Sequence, residues 1–170
     1  MQISEYSYQP INFTIDNNQL GLNQVFIEEI ISSLLEVRFP SPNQRIQFEL
    51  SNQIIQKFQN TFETFSTDNN DIKCDERLNY KFDGVFENQG SRIGLEIQFR
   101  PDFLKDITRF QLGFHSGKVH AIIYIVAIER ETINPRYTTM PKYDKVVEHL
   151  CLLNWLQVPI LVIGINCSEN

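Results

Sequence analysis

The chain has 170 residues, of which 42% are hydrophobic and 21% charged, a balance typical of one folded domain rather than a disordered chain. A formal net charge of −6 excludes a protein that coats nucleic acid with positive charge, so any such contact needs a local basic surface. No apolar run approaches the roughly 20 residues that cross a bilayer, and the start lacks a secretory signal, so we expect a cytoplasmic protein without a membrane segment.

The first part of the chain predicts two amphipathic helices. Apolar residues recur at helical spacing in GLNQVFIEEIISSLLEVRF (21–39), and a second apolar stripe runs along FELSNQIIQKFQNTF (48–62). We interpret the chain as a single domain with an N-terminal helical segment, residues 1–47, that is a possible dimer interface. Residues 48–165 then form the core of the domain.

After residue 70 the pattern changes to the alternation of β-strands. NYKFDGVF (79–86) and RIGLEIQFR (92–100) alternate apolar and polar residues, and the ENQGS between them suits a hairpin turn. The later predicted elements are a helix in DFLKDITRFQLGFH (102–115), a buried strand in VHAIIYIVAI (119–128), a helix in PKYDKVVEHLCLLNW (141–155) and a buried strand in VPILVIGI (158–165). This order predicts an α/β fold with a mixed β-sheet flanked by helices.

The predicted strand over residues 92–100 carries polar residues although it should be buried. Glu96, Gln98 and Arg100 alternate with apolar residues and therefore share one face. Asp83, on the preceding strand, can face the same side if the two strands pair as antiparallel neighbours. Two carboxylates that face the same side of neighbouring strands suit Mg²⁺, and the carbonyl oxygen of Ile97 can add an oxygen ligand. The alternative is that these residues are the solvated face of a two-sided sheet.

Two features favour a site over a solvated face. Gly84, directly after Asp83, removes a side chain where another group needs to approach closely. The next helix and strand are so apolar that the sheet is expected to be buried on at least one side. A metal held by the two carboxylates can lower the pKa of a bound water and neutralise charge on a phosphate.

The segment from FDG through LEIQF, followed by RPDFLKDITRFQLGFHSGKVHAIIYIV, resembles the signature of the PD-(D/E)xK nuclease superfamily. Within that superfamily it is similar to the type II restriction endonucleases of the BamHI/BglII/BstYI group. Some members of this group carry Gln instead of Lys at the third catalytic position, and Glu96-Ile97-Gln98 fits that E-x-Q variant. The resemblance covers about residues 48–165 and implies a restriction-endonuclease-like mixed sheet flanked by helices.

Carried over to this chain, the resemblance implies that Asp83 and Glu96 are catalytic Mg²⁺ ligands, joined by the carbonyl oxygen of Ile97. It implies that Gln98 occupies the catalytic position of a general base or a water-positioning group, although an amide does not accept a proton near neutral pH. The upstream helix of these enzymes often supplies one more acidic or amide residue. The sequence leaves three candidates open, namely Glu49, Asn52 and Glu63.

The resemblance also implies DNA contacts after the catalytic strand and in the loop before the last helix. Cations and hydroxyl groups at these places suit phosphates and base edges. The residues expected to contact DNA are Arg100, Lys105, Arg109, Arg136, Thr138 and Lys142.

These inferences predict a Mg²⁺-dependent endonuclease that hydrolyses phosphodiester bonds of double-stranded DNA at a short palindromic site. Because cutting both strands of a palindrome suits a twofold assembly, we expect a homodimer. Its candidate interfaces are the N-terminal helix and the last helix, where Trp155 is expected to pack in the core or, alternatively, to anchor the interface. The alternatives within the same fold are a repair or structure-specific nuclease, and a catalytically inactive protein that binds nucleic acid.

Overall fold

The structure, a computed structural model, describes residues 2–15, 20–38, 46–68, 71–73, 79–100, 103–129 and 142–168. The helices within these ranges are α1 (Gln24–Leu35), α2 (Ile46–Thr61), α3 (Phe103–His115) and α4 (Tyr143–Leu152). The strands are β1 (Gln2–Ile11), β2 (Phe65–Ser66), β3 (Asp71–Lys73), β4 (Asn79–Lys81), β5 (Gly84–Asn88), β6 (Ser91–Gln98), β7 (Ala121–Ala127) and β8 (Ile160–Ser168).

Six of these strands form one mixed sheet in the order β1-β8-β7-β6-β5-β2. The central strands β6, β7 and β8 run parallel, and α3 and α4 lie in the long connections that parallel neighbours need. The pairs β1–β8, β5–β6 and β2–β5 are antiparallel, and β3 and β4 form a separate two-stranded sheet. The predicted fold class, a mixed sheet flanked by helices, is confirmed.

Helices cover both faces of this sheet. On one face, α1 and α2 share a core with Leu95 of β6 and Ile123 of β7. On the opposite face, α3 and α4 share a core with Tyr124, the next residue along β7. Successive side chains of a strand therefore enter different cores, and the even-numbered residues of β6 and β7 face α3.

Three parts of the chain differ from the sequence-based expectations. Residues 2–11, within the segment expected to be helical, form the edge strand β1 instead. The strand predicted over 79–86 is divided, because β4 ends at Lys81 and β5 begins at Gly84. Trp155 is 55% exposed, so the expectation that it packs in the core is wrong.

Two further expectations concern contacts with DNA and membrane-spanning segments. Arg136 and Thr138, expected to contact DNA, lie outside the described residues. Across the described ranges, no helix has the length and apolar character needed to span a bilayer.

Candidate active site

Strand β6 carries two polar side chains on its α3-facing side. Glu96 and Gln98 are 5% and 7% exposed, and they alternate with Leu95 and Ile97, which belong to the opposite core. The predicted separation of polar and apolar side chains along this strand is therefore confirmed. Both polar residues are buried, so the alternative of a solvated sheet face is wrong for them.

Asp83 lies beside Glu96 at the break between β4 and β5. The antiparallel register pairs Gly84 with Leu95, and the backbone N–H of Asp83 donates to the Leu95 carbonyl at 2.9 Å. The Asp83 carboxylate Oδ2 in turn accepts a hydrogen bond from the backbone N–H of Ile97 at 2.8 Å. The side chain is thus attached to β6, which keeps it next to the Glu96 carboxylate.

Helix α3 adds two charged residues to this face of the sheet. Arg109 Nη2 donates to Glu96 Oε1 at 2.8 Å and also to Asp106 Oδ1. Asp106 is fully buried, and its Oδ2 accepts from Gln98 Nε2 at 2.6 Å and from the Tyr124 hydroxyl at 2.9 Å. These contacts form one connected network, which links both polar residues of β6 to α3 and β7.

Burial shifts the pKa values of the carboxyl groups. It raises the pKa of Asp83, although the Ile97 N–H and the Arg109 charge oppose the effect. Burial, reinforced by the nearby Asp83 charge, raises the pKa of Glu96 well above its ordinary value, against the opposing effect of Arg109. For Arg109 itself, burial lowers the pKa, but the Glu96 and Asp106 carboxylates outweigh that and raise it. The guanidinium of Arg109 therefore stays charged. Its charge only partly compensates the neighbouring carboxylates of Asp83 and Glu96.

All three residues predicted to be catalytic line one cavity of about 280 Å³. Asp83, Glu96 and Gln98 share this cavity with Asn52 of α2, and Glu49 and Glu63 are not among the residues that line it. Of the three upstream candidates that the sequence left open, the structure therefore brings Asn52 to the site.

The oxygen atoms of this cavity fit a hard divalent cation. Glu96 Oε2 is buried and accepts no hydrogen bond from any described residue, an arrangement that is costly unless a cation or another donor meets it. Nowhere in the described ranges do three or more His, Cys, Asp or Glu side chains group as a metal site. Mg²⁺ needs only one or two carboxylates, because it usually keeps several waters. Glu96 and Asp83 satisfy that requirement.

The residues predicted to bind DNA fall into different environments. Arg100 and Lys105 are exposed and line the cavity. Arg109 also lines it, but its side chain is only 12% exposed and its guanidinium is bound to two carboxylates. Lys142 immediately precedes α4 and pairs with Glu129, and neither of these two residues lines the cavity.

The sequence patterns did not predict Asp106 and Tyr124 as parts of the site. A signal for Asp106 exists, since it falls among Phe103, Ile107 and Phe110 on the apolar stripe of α3, where an unpaired acidic residue would be costly. Tyr124 has no comparable signal, because a tyrosine in an apolar strand is ordinary core composition. Its role depends on the register that pairs it with Glu96, and this register is visible only in the folded chain.

The chain matches a known protein family and is similar to solved structures. The sequence model of the family described as restriction endonuclease BglII/BglIII matches residues 22–165. The crystal structure of restriction endonuclease BglII complexed with a DNA 16-mer is similar with a TM-score of 0.66 and 17% identity, over 98% of this chain and 78% of that chain. The crystal structure of free BglII is similar with a TM-score of 0.59 and 17% identity, over 98% and 82% of the respective chains. At this identity the two structures show a shared fold. No curated protein matches the sequence.

Proposed function

Because the chain belongs to the BglII/BglIII family of restriction endonucleases, we propose that it hydrolyses phosphodiester bonds of double-stranded DNA at a short palindromic site in a Mg²⁺-dependent reaction. One observation carries this proposal beyond the family. Asp83 and Glu96 lie side by side in one cavity, and a buried Glu96 oxygen accepts no hydrogen bond from the described residues. Such a pair is unfavourable in a purely structural role and is suited to a divalent cation.

Asp83 and Glu96 would hold the Mg²⁺, with the carbonyl oxygen of Ile97 as a third protein ligand. Bound Mg²⁺ would offset the charge that builds up on the phosphate and make an attacking water easier to deprotonate. Arg109 donates to Glu96 Oε1, so it restrains that carboxylate while the other oxygen, Oε2, remains available. Asp83 is restrained in the same way by the Ile97 N–H.

Gln98 occupies the third catalytic position but has no atom that takes up a proton near neutral pH. We assign it a positioning role, in which its amide forms a hydrogen bond with the attacking water or with a phosphate oxygen. The proton released by the water then passes to solvent or to a phosphate oxygen of the substrate. Asn52, which lines the same cavity, is the upstream amide residue of the proposed site.

Exposed cations at the cavity supply the proposed DNA contacts. Arg100 and Lys105 are solvent-exposed beside the carboxylates, where they can bind phosphates on either side of the scissile bond. Lys142, together with Arg136 and Thr138, remains a proposed contact on the basis of sequence. For Arg109 we replace the expected contact with DNA by the restraint of Glu96, because its donors Nη1 and Nη2 already bind protein oxygens.

A homodimer is the proposed assembly, since one cavity cleaves one strand and a palindrome presents two equivalent phosphates. The C-terminal end of α4 and the residues just after it suit an interface, because Leu152 and Trp155 are 68% and 55% exposed there. A contiguous exposed apolar patch marks a surface that binds a partner, and these two side chains are the proposed centre of such a patch.

The proposed activity can be tested by incubating the purified protein with phage and plasmid DNA in Mg²⁺ or in EDTA. Discrete bands that require Mg²⁺ are expected from the wild-type protein, and Glu96→Gln should abolish them because it removes a charged ligand. Glu87→Gln is the matched control, since Glu87 is an exposed carboxylate on the neighbouring strand β5 and does not line the cavity.

Other outcomes of this experiment identify the alternatives. Smeared products that require Mg²⁺ would support a nuclease that cleaves without sequence specificity. Absence of cleavage on every DNA, with Mg²⁺ or Mn²⁺, would reject the proposed activity and favour an inactive protein that binds nucleic acid.

A further inference from the structure

The side-chain amide of Gln98 is held at both ends. Its Nε2 donates to Asp106 Oδ2 at 2.6 Å, and its Oε1 accepts from the backbone N–H of Arg100 at 2.9 Å. Amide nitrogen and oxygen atoms are distinguished by the hydrogen bonds that they form. A backbone N–H only donates, so the Arg100 side of the amide has to be the oxygen.

Asp106 enforces the same orientation from the other side. Three donors converge on its carboxylate, namely Gln98 Nε2, the Tyr124 hydroxyl and Arg109 Nη2. A carboxylate that receives three donors acts as an acceptor alone. Because Asp106 is fully buried, no water replaces these donors, and an amide turned by 180° would place an oxygen against an oxygen.

We propose that Asp106 is a positioning residue that selects which end of the Gln98 amide serves the substrate. It holds Nε2 in the contact with Asp106 and leaves the second lone pair of Oε1 at the end next to Arg100, an exposed residue that lines the same cavity as Gln98. Gln98 therefore meets the substrate as a hydrogen-bond acceptor, and the group that it positions is a donor, the attacking water, rather than a phosphate oxygen. This inference rests on the proposed function and identifies the partner of Gln98 in it.

Exchanging the acid at position 106 and the amide at position 98 tests the proposed orientation of the Gln98 side chain. Asp106→Asn replaces an exclusive acceptor with an amide that also donates, so only the Arg100 N–H still favours the native orientation of Gln98, and the single-turnover cleavage rate at saturating DNA should fall roughly 100-fold. Gln98→Glu places two carboxylates against each other and should lower the rate at least as much. In the double variant Gln98→Glu/Asp106→Asn, the asparagine donates to the glutamate, and the rate should recover by about tenfold or more over Gln98→Glu.

Matched measurements separate positioning from folding. DNA affinity measured in Ca²⁺ should stay near the wild-type value in Asp106→Asn, since the change affects a step after binding. Gln111→Glu exchanges an amide for an acid on the same helix, where Gln111 accepts from the backbone of residues 157 and 158 and does not line the cavity. It should retain the wild-type cleavage rate.

A rate in Asp106→Asn within about twofold of wild type would overturn the proposal, as would a double variant no faster than Gln98→Glu.

A measurement on the metal-free wild-type protein keeps the test independent of cleavage and of variant folding. In a ¹H–¹⁵N correlation spectrum, the Gln98 side-chain amide is identified by its absence from the Gln98→Glu spectrum. One of its protons should exchange slowly with solvent, because it is bonded to a buried carboxylate. An amide pair that exchanges as fast as exposed glutamines would overturn the inference while cleavage stands. A protected pair in a protein that cleaves no DNA would reject the proposed function, and with it the partner assigned to Gln98, while it supports the amide orientation that Asp106 imposes.

Discussion

Glu96 has two carboxylate oxygens in different environments. Oε1 accepts from Arg109, whereas Oε2 is buried and accepts no hydrogen bond from the described residues. The sequence predicted that Glu96 would share a site with Asp83, because alternation and a short hairpin suffice to bring them together. The salt bridge to α3 was not predictable from spacing, since it depends on how the helix packs across the sheet.

The raised pKa of Glu96 makes the stability of the protein depend on pH. Between the ordinary glutamate pKa of 4.5 and the higher folded value, the folded protein holds a proton that the unfolded chain has lost. The free energy of unfolding should therefore fall as the pH rises through this window. Glu96→Gln should show a shallower fall in denaturant titrations between about pH 5 and pH 8 without divalent metal.

Mg²⁺ reverses part of this loss if it binds the ionised carboxylates, so it should stabilise the wild-type protein more at the higher pH. Glu87→Gln, which also removes one negative charge, is the matched control for the change in net charge. Equal slopes for wild type and Glu96→Gln would contradict the assignment of the raised pKa to this residue.

At the level of elements, the strong periodic patterns of the sequence were sufficient for most of the sheet. The apolar strands β7 and β8 and the hairpin between β5 and β6 are confirmed. Strand β1 was missed because only Ile3 and Ile11 of its residues are buried, and it contains Pro10. Its stability comes from pairing with β8, a contact between residues far apart in sequence that no local pattern reveals.

Gly84 begins β5 at a point of close approach, as the sequence predicted, but the approaching group is an aromatic ring of the core. A Cβ atom at this position would lie 2.3 Å from the ring of Phe65, which itself packs against Phe86 at 4.6 Å between ring centroids. Gly84→Ala should therefore displace β2 and lower the free energy of unfolding by about 1–3 kcal/mol in urea titrations.

Gly94→Ala, on the neighbouring strand β6, provides a graded comparison. The nearest heavy atom would lie 3.0 Å from the added Cβ, so the destabilisation should be smaller than for Gly84→Ala. Equal unfolding free energies for Gly84→Ala and wild type would show that Phe65 moves aside without cost.

On the scale of the whole molecule, a net charge of −6 coexists with a small exposed basic surface at the cavity. The family resemblance read from the sequence is confirmed by the family match over residues 22–165 and by the fold shared with BglII. The residues at the proposed interface were less predictable, because the exposure of Trp155 depends on where α4 ends relative to the sheet.

Sedimentation velocity should give about twice the 20.0 kDa mass of one chain. Trp155→Ser should shift the protein toward the single-chain mass if the end of α4 forms the interface. Val25→Ser, which changes a side chain that is 66% exposed on α1, tests the N-terminal helix in the same way. A single-chain mass at every concentration, and also on DNA, would reject the dimer.

The pairing of β1 with β8 has a consequence for how the protein is made. Residues 2–11 are synthesised well before their partner, residues 160–168, so this edge of the sheet stays open while the strands between them are made. Closing so long a loop is entropically costly, and we expect it to occur only after the central strands have formed. The nascent chain should then bring the carboxylates of Asp83 and Glu96 together before the sheet is complete. During synthesis the candidate site would therefore form before the edge of the sheet is closed.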